Sequence, residues 1–449
     1  MVKLRNGLQK VKDEYDQLIP HSAIQRACAA AGHSFRQRML GPIETLYLFL
    51  IQILNGNVAC SALRHLAEMP CSVSAYCQAR GRLPVAVLVN LLGWVAQAMR
   101  DLSDGAQQWH GHRVFFVDGS SFSMPDTPDL QQAFGQPGGQ RKGCGFPTAH
   151  MLVLMDAATG FILDILACPL RTHEIAHVHQ THGRLRAGDL LVADRGFCSY
   201  AHMAQLLAQG IEFVFRIHQC VIVDFTPGRA HVSPKAKNLP KGLPRSKWLR
   251  CLGHSDQVVQ WQKPASRPRR MSPEAFDRLP EALTVRELRY RIETPGFRTR
   301  NVLLVTSLQD PQEYPAEELA ELYRWRWQVE VNLRNLKQTM GMDVLHCKTA
   351  DGVRKEMLMF ALAYNLVCSV IYDAADRQGV RPDRISFVDA LRWLQQWRPD
   401  RELVALIINP HRPGRVEPRV VKRRPKQYPL MREPRHMLRN RLLEKDVAA

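Results

Sequence analysis

At 449 residues, 45% of them apolar and 23% charged, the chain has the composition of a globular protein and the length of about three ordinary domains. Sixty-one Lys and Arg against 42 Asp and Glu leave a net charge of +19, which suits an acidic partner, most commonly nucleic acid. The charged N-terminus carries no secretory core, the apolar runs around Leu46 to Leu54 and Val85 to Val95 are too short to span a bilayer, and the eleven cysteines show no C-x-x-C spacing. A secreted disulfide scaffold and a membrane protein are thereby excluded, and a cytoplasmic location is expected.

Residues 1–107 predict a helical domain. Leu18 to Ala31, Pro42 to Leu54, Ala59 to Ala67, Ser72 to Arg80 and Val85 to Met99 carry helical periodicity. The stretch SALRHLAEMPCSVSAYCQARGRL has the form helix, turn, helix, with Ser72 as cap. Its second helix either presents Ser74, Gln78, Arg80 and Arg82 to DNA or is one member of a packing bundle.

At His112 the pattern changes. RVFFVDGSS, HMLVLMD, FILDILA, LLVADRGF and EFVFRI are short apolar runs, interleaved with helical stretches from about His173 and over His202 to Gln209. This order predicts a mixed α/β sheet over 108–217. Asp118 and Asp194 each stand where an apolar run meets a Gly-containing turn. In an open α/β sheet that is the position of the ligand crevice, although such an Asp is also a common turn former. Residues 218–307 hold basic, Pro-rich loops and β-like runs (WLRCLGH, QVVQWQ, LTVRELRYRI, RNVLLVTSL), a β-rich insertion in the α/β domain. Trp248 and Trp261 there are expected to be packing aromatics rather than base-stacking platforms.

The α/β domain resumes over 308–400. PAEELAELYRWRWQVEVNLRNLKQTM, from Pro315 to Met340, predicts one long helix. On it Leu322, Trp325, Val329, Leu333, Leu336 and Met340 share an apolar face. Tyr323, Arg326, Glu330 and Lys337 fall at roughly 0°, 300°, 340° and 320°, a polar stripe roughly 21 Å long beside that face. Spacing alone makes it either a surface charge ladder or a track for a polyphosphate backbone. Val353 to Ala375, Phe387 to Gln396 and Glu402 to Ile408 predict further helices, and 401–449 a basic C-terminal region with an extended, polyanion-binding tail.

His173-Glu174-Ile175-Ala176-His177 matches H-E-x-x-H, the zinc-protease pattern. The positions of the longer metzincin form hold Gln180 and Gly183, with His179 and His182 out of register. An ordinary helix between sheet elements is expected instead.

Asp118, Asp194 and Glu330 are three carboxylates from three elements of one α/β domain, the donor set that two-metal phosphoryl transfer requires. VDGSS, ADRGF and Tyr323-x2-Arg326-x3-Glu330-x6-Lys337 together resemble the DDE transposases of bacterial insertion sequences, specifically insertion sequence family four with its Tyr-Arg-Glu-Lys signature. The resemblance is strongest from Arg113 to Lys337. It implies a ribonuclease-H-like catalytic domain using Mg²⁺ or Mn²⁺, two ions per site, with Asp118, Asp194 and Glu330 as metal ligands and Tyr323, Arg326 and Lys337 on the phosphates of the element ends. It further implies double-stranded DNA as partner, a synaptic homodimer, and cut-and-paste transposition through 3′-OH strand transfer. A domesticated non-catalytic DNA-binding protein and a nuclease without strand transfer are the alternatives.

Overall fold

The computed structural model describes residues 19–36, 39–67, 72–102, 108–139, 144–232, 242–269, 271–291, 301–398, 400–410 and 431–447, together with Asp16 and Arg141. The basic stretch at 411–430, parts of the insertion loops and the charged N-terminus lie outside the described residues. In chain order the helices and strands are α1 (His21–Ala30), α2 (Pro42–Leu54), α3 (Val73–Arg82), α4 (Val85–Leu102), β1 (Val114–Ser123), α5 (Pro128–Phe134), β2 (Thr148–Asp156), β3 (Ile162–Pro169), β4 (Leu190–Ala193), α6 (Tyr200–Leu207), β5 (Glu212–Arg216), β6 (Lys247–Gly253), β7 (Asp256–Gln262), β8 (Ala282–Arg291), β9 (Asn301–Thr306), α7 (Ala316–Trp325), α8 (Trp327–Arg334), α9 (Ala350–Gln378), α10 (Phe387–Gln395) and α11 (Arg435–Val447). Short helical turns lie between them.

The strands form one mixed sheet in the order β3-β2-β1-β4-β5-β9-β8-β7-β6. β1, β4 and β5 run parallel at its centre; β2 and β3 are antiparallel on one side, and β9 to β6 on the other. The mixed α/β architecture expected from the sequence is therefore present, and the strands of the 218–307 stretch extend the same sheet.

Period-2 alternation divides the central strands between two cores. Val114, Phe116, Val153, Val192 and Val214 pack with α1, α2, α4, α9 and α10 on one face. Phe115, Val117, Leu152, Leu191, Ala193 and Phe213 pack with α6 on the other. α9 is apolar enough to insert among these helices, and it starts sharply because the Thr349 side chain accepts a hydrogen bond from Gly352 N. By length and composition it is also the one helix among the described residues that reaches membrane-span dimensions, and 83% of its apolar window is buried inside the protein.

The structure departs from several expectations. First, β1 does not end at Asp118. Its turn-like tail Gly-Ser-Ser pairs with β2 out to Ser123↔Thr148, so sheet pairing overrides local turn chemistry. Second, the Pro315–Met340 helix is not continuous. It breaks at Arg326 between α7 and α8 and ends in a π-turn, Asn335–Thr339. Leu322, Val329, Leu333, Leu336 and Met340 are buried as expected, but Trp325 is 43% exposed. Third, 402–408 is not helical: Leu406 N donates to Gln378 Oε1, Ile407 N to Asp389 Oδ2, and Ile408 bridges Ile385. The tail expected to be extended contains α11. Of the two readings left open for α3, Arg80 follows the packing one. Its guanidinium lies 3.7 Å from the Phe49 ring centroid and donates to Gln52 Oε1. Ser72 caps α3 as expected, accepting from Ala75 N.

Candidate active site

Parallel pairing of β1 and β4 ends at Val117↔Ala193, so Asp118 and Asp194 are the next residues on two adjacent strands. Such strands lie about 4.8 Å apart, which sets Asp118, midway along β1, beside Asp194, just past the end of β4. Each is fixed by the backbone beyond it: Asp118 Oδ1 accepts from Gly119 N and Asp194 Oδ1 from Gly196 N, both at 2.8 Å.

α8 docks against β1 and supplies the third carboxylate. The break at Arg326 turns the guanidinium inward, where Nη1 donates to Asp118 Oδ2 (3.2 Å) and Nη2 to Glu330 Oε1 (2.8 Å). Arg326 Nε is buried without a partner among the described residues. The guanidinium also lies 5.7 Å from the ring centroid of Tyr323, which is itself buried. Beyond Glu330 the π-turn carries Lys337, whose Nζ donates to Ser120 Oγ at 3.0 Å. π-turns inside helices recur at functional sites because they re-aim side chains. The chain leaving this one is pinned to β1 by Ser123 N→Asp343 O and Leu345 N→Ser123 O.

The structure thus brings Asp118, Glu330, Tyr323, Arg326 and Lys337 into one contiguous set, with Asp194 beside Asp118. Burial pushes the Asp118 carboxyl up to about 6; Arg326 and Gly119 N oppose the shift, and the Asp194 and Glu330 charges add to it. The folded chain therefore holds this proton more tightly than the unfolded chain. Stability from this group is fully present below about pH 4 and is lost as pH rises through about 6. In EDTA at about pH 7.5, Asp118→Asn is expected to stabilise the protein by up to on the order of 3 kcal/mol, and to do nothing below about pH 4. Urea unfolding at the two pH values checks this; an equal effect at both contradicts it.

The H-E-x-x-H stretch forms two short 3-10 turns rather than one helix. His177 Nε2 contacts Thr172 Oγ1, while Glu174 points elsewhere, at Gly119 and His150. Trp261 is a packing residue, its Nε1 donating to Glu287 Oε1 at 2.7 Å, and Trp248 Nε1 is buried.

Asp118, Asp194 and Glu330 thus stand beside two cationic side chains, Arg326 and Lys337. Residues 109–366, more than half of the chain, match the family described as the transposase DDE domain, and the chain belongs to that family. It is similar to the transposase InsG for insertion sequence element IS4 of Escherichia coli strain K12, at 25% identity over 375 residues, covering 79% of this chain and 78% of that one. It is also similar to the transposase for insertion sequence element IS421 of Escherichia coli, at 36% identity over 76 residues, 17% of this chain and 20% of that one. The cryo-EM structure of a piggyBac transposase synaptic complex with hairpin DNA covers 87% of this chain and 79% of that one at 11% identity and a TM-score of 0.43, a loose likeness from which no detail is taken. The resemblance to insertion-sequence-four transposases is borne out, and the chain is a DNA transposase, an enzyme of phosphoryl transfer.

Members of this family generally use divalent metal ions. The donors present are hard carboxylate oxygens, suited to Mg²⁺ or Mn²⁺. The gap between Asp118 and Glu330 accepts positive charge, since the Arg326 guanidinium lies in it. In this arrangement no three His, Cys, Asp or Glu side chains among the described residues converge on one ion. The donors fit the group in their chemistry, while the Arg326 guanidinium lies between Asp118 and Glu330.

Proposed function

We propose that the protein cuts the ends of its own insertion sequence and joins the freed 3′-OH to target DNA, a cut-and-paste transposition. The observation that carries this reading is the placement of Asp118 and Asp194 where the pairing of β1 and β4 ends, with Glu330 tied to Asp118 through Arg326. The β3-β2-β1-β4-β5 half of the sheet supports a ribonuclease-H-like catalytic core over 108–217 and 308–400, with 218–307 inserted between the second Asp and the Glu. Residues 1–107 serve as a DNA-binding domain and 401–449 as a basic region, consistent with the +19 charge.

In this reading Asp118, Asp194 and Glu330 hold two Mg²⁺ or Mn²⁺ ions. When bound, such ions supply charge stabilisation at the attacking and leaving oxygens of an in-line displacement. Lys337, Arg326 and Tyr323 hold the end phosphates and orient the scissile bond, so positioning and charge neutralisation provide most of the catalysis. A synaptic homodimer on double-stranded DNA, in the cytoplasm and at the nucleoid, completes the proposal.

The test supplies DNA carrying the terminal inverted repeats that flank the gene. Mg²⁺-dependent release of 3′-OH ends and their joining to a target plasmid are expected. Cutting without joining reduces the protein to a nuclease, and binding without cutting to a non-catalytic DNA-binding protein. Lys337→Ala and Arg326→Ala should each weaken the complex with a cleaved end and flatten its salt dependence by roughly one counterion per lost phosphate contact. Filter binding from about 50 to 300 mM salt reads this, and an unchanged slope removes the phosphate roles.

A further inference from the structure

The sulfurs of Cys60, Cys77 and Cys347 gather around Arg80, and the reading above uses none of them. Arg80 Nη1 lies 3.8 Å from Cys60 Sγ, and Nη2 lies 3.1 Å from Cys347 Sγ. Cys77 Sγ lies 3.8 Å from Cys60 Sγ, two sulfurs in contact across 17 residues of sequence. Cys60 opens the short 3-10 turn Cys60–Ala62, and Cys77 stands on α3. The guanidinium is fixed over the Phe49 ring and donates to Gln52 Oε1, while Gln52 Nε2 lies 3.9 Å from Cys60 Sγ. Cys60 is therefore held in place by α2 and Arg80, with its sulfur against Cys77.

The three thiols differ in access and in chemistry. Cys77 is exposed and Cys60 half-buried, so an oxidant in solution meets Cys77 first, with Cys60 beside it. Burial and the neighbouring Cys60 push the Cys77 thiol up, against the opposing charge of Arg80, so it stays protonated near neutral pH until an oxidant acts. Burial, with Glu356 adding to it, pushes the Cys347 thiol up to about 12, which makes it the inert member of the group.

We propose that Cys60 and Cys77 form a redox-sensitive modification site, closed to a disulfide by an oxidant of the peroxide class. Hydrogen peroxide transfers one oxygen to Cys77, giving a sulfenic acid and releasing water. The Cys60 sulfur then attacks the Cys77 sulfur. The S–O bond breaks, and the departing hydroxide leaves with the Cys60 proton as a second water. The two thiols together lose two electrons and two protons, which reduce one peroxide to two waters. The sulfurs close from 3.8 Å to about 2.05 Å, and an external thiol reopens the bond by exchange. Closed, the bond pins α3 to the turn before it, and with α3 the exposed Ser74 and Gln78.

The experiment treats the reduced full chain, without DNA, with one equivalent of hydrogen peroxide at about pH 8, where more thiolate is present. Free thiols are then alkylated and the digest is mapped by mass spectrometry. A Cys60–Cys77 link lacking two hydrogens, and reversed by dithiothreitol, is expected. The oxidised chain should melt on the order of 5 °C above the reduced one. Cys77→Ser, at an exposed position, and Cys60→Ser should each lose both the link and the shift, and Cys347→Ser should keep both. A link between any other pair of cysteines, or sulfinic acid at Cys77 beside a free Cys60 thiol, overturns the site. Loss of the link in Cys347→Ser overturns the pairing, and an unchanged melting point with the bond formed overturns the pinning of α3.

Discussion

Asp118→Asn, Asp194→Asn and Glu330→Gln are each expected to lower Mg²⁺-dependent cleavage of element ends by on the order of 10³-fold or more, while binding of the uncut end persists. Phosphoryl transfer offers the protein little covalent chemistry, so removing one carboxylate removes charge and positioning that the remaining two cannot restore. The substitutions are nearly isosteric, and the hydrogen bonds from Gly119 N and Gly196 N survive on the amide oxygen. A gel assay on end-labelled DNA, paired with an electrophoretic shift assay, separates cutting from binding. Full cleavage by any one of the three variants eliminates that residue from the site.

The second large effect is structural and lies far from the carboxylates. Arg286 is 1% exposed on β8; its Nε and Nη2 fork onto the Asp256 carboxylate while Nη1 donates to Tyr314 O at 2.6 Å. Asp256→Ala would leave a guanidinium buried without its counter-charge, a change expected to cost about 3–5 kcal/mol. Replacing both partners, Asp256→Leu with Arg286→Met, should recover most of that loss, because the penalty comes from the orphaned charge. Urea unfolding of the single and double variants measures it, and equal losses in both would contradict this account. Tyr314 precedes Pro315, the N-cap of α7, so Arg286 on β8 anchors the start of the helix that carries Tyr323 and leads into Arg326.

Much of the fold was legible because the strong signals are periodic. α2 and α4 follow from apolar runs with clear starts, and the β2–β3 hairpin from two runs joined by Ala-Ala-Thr-Gly, in which Gly160 takes φ +74°. The charged stripe was legible as spacing, but its geometry was not. The helical spacing sets Arg326 and Glu330 beside the apolar face, but it cannot show that the guanidinium meets Asp118, 208 residues away in sequence. Asp118-Gly-Ser-Ser has turn composition, and only the β2 partner makes it strand. Arg80 has the spacing of a DNA-reading side chain, and spacing cannot reveal the Phe49 ring beneath it.

The contacts between the N-terminal helices and α9 limit how this protein can be divided. Buried Glu356 accepts hydrogen bonds from the Asn57 side chain and from His346 N and Cys347 N, while Lys355 Nζ donates to Arg80 O and Gly81 O. Gln395 Nε2 reaches back to Leu54 O. A truncated chain beginning at β1 would bare the apolar flank of α9, and it would take Asn57 from Glu356 and both carbonyls from Lys355 at once. Trimming the enzyme to a minimal cutting module, or swapping its N-terminal part to redirect it, therefore requires redesigning α9 as well. The same interlock ties any change in the N-terminal helices to a change in α9.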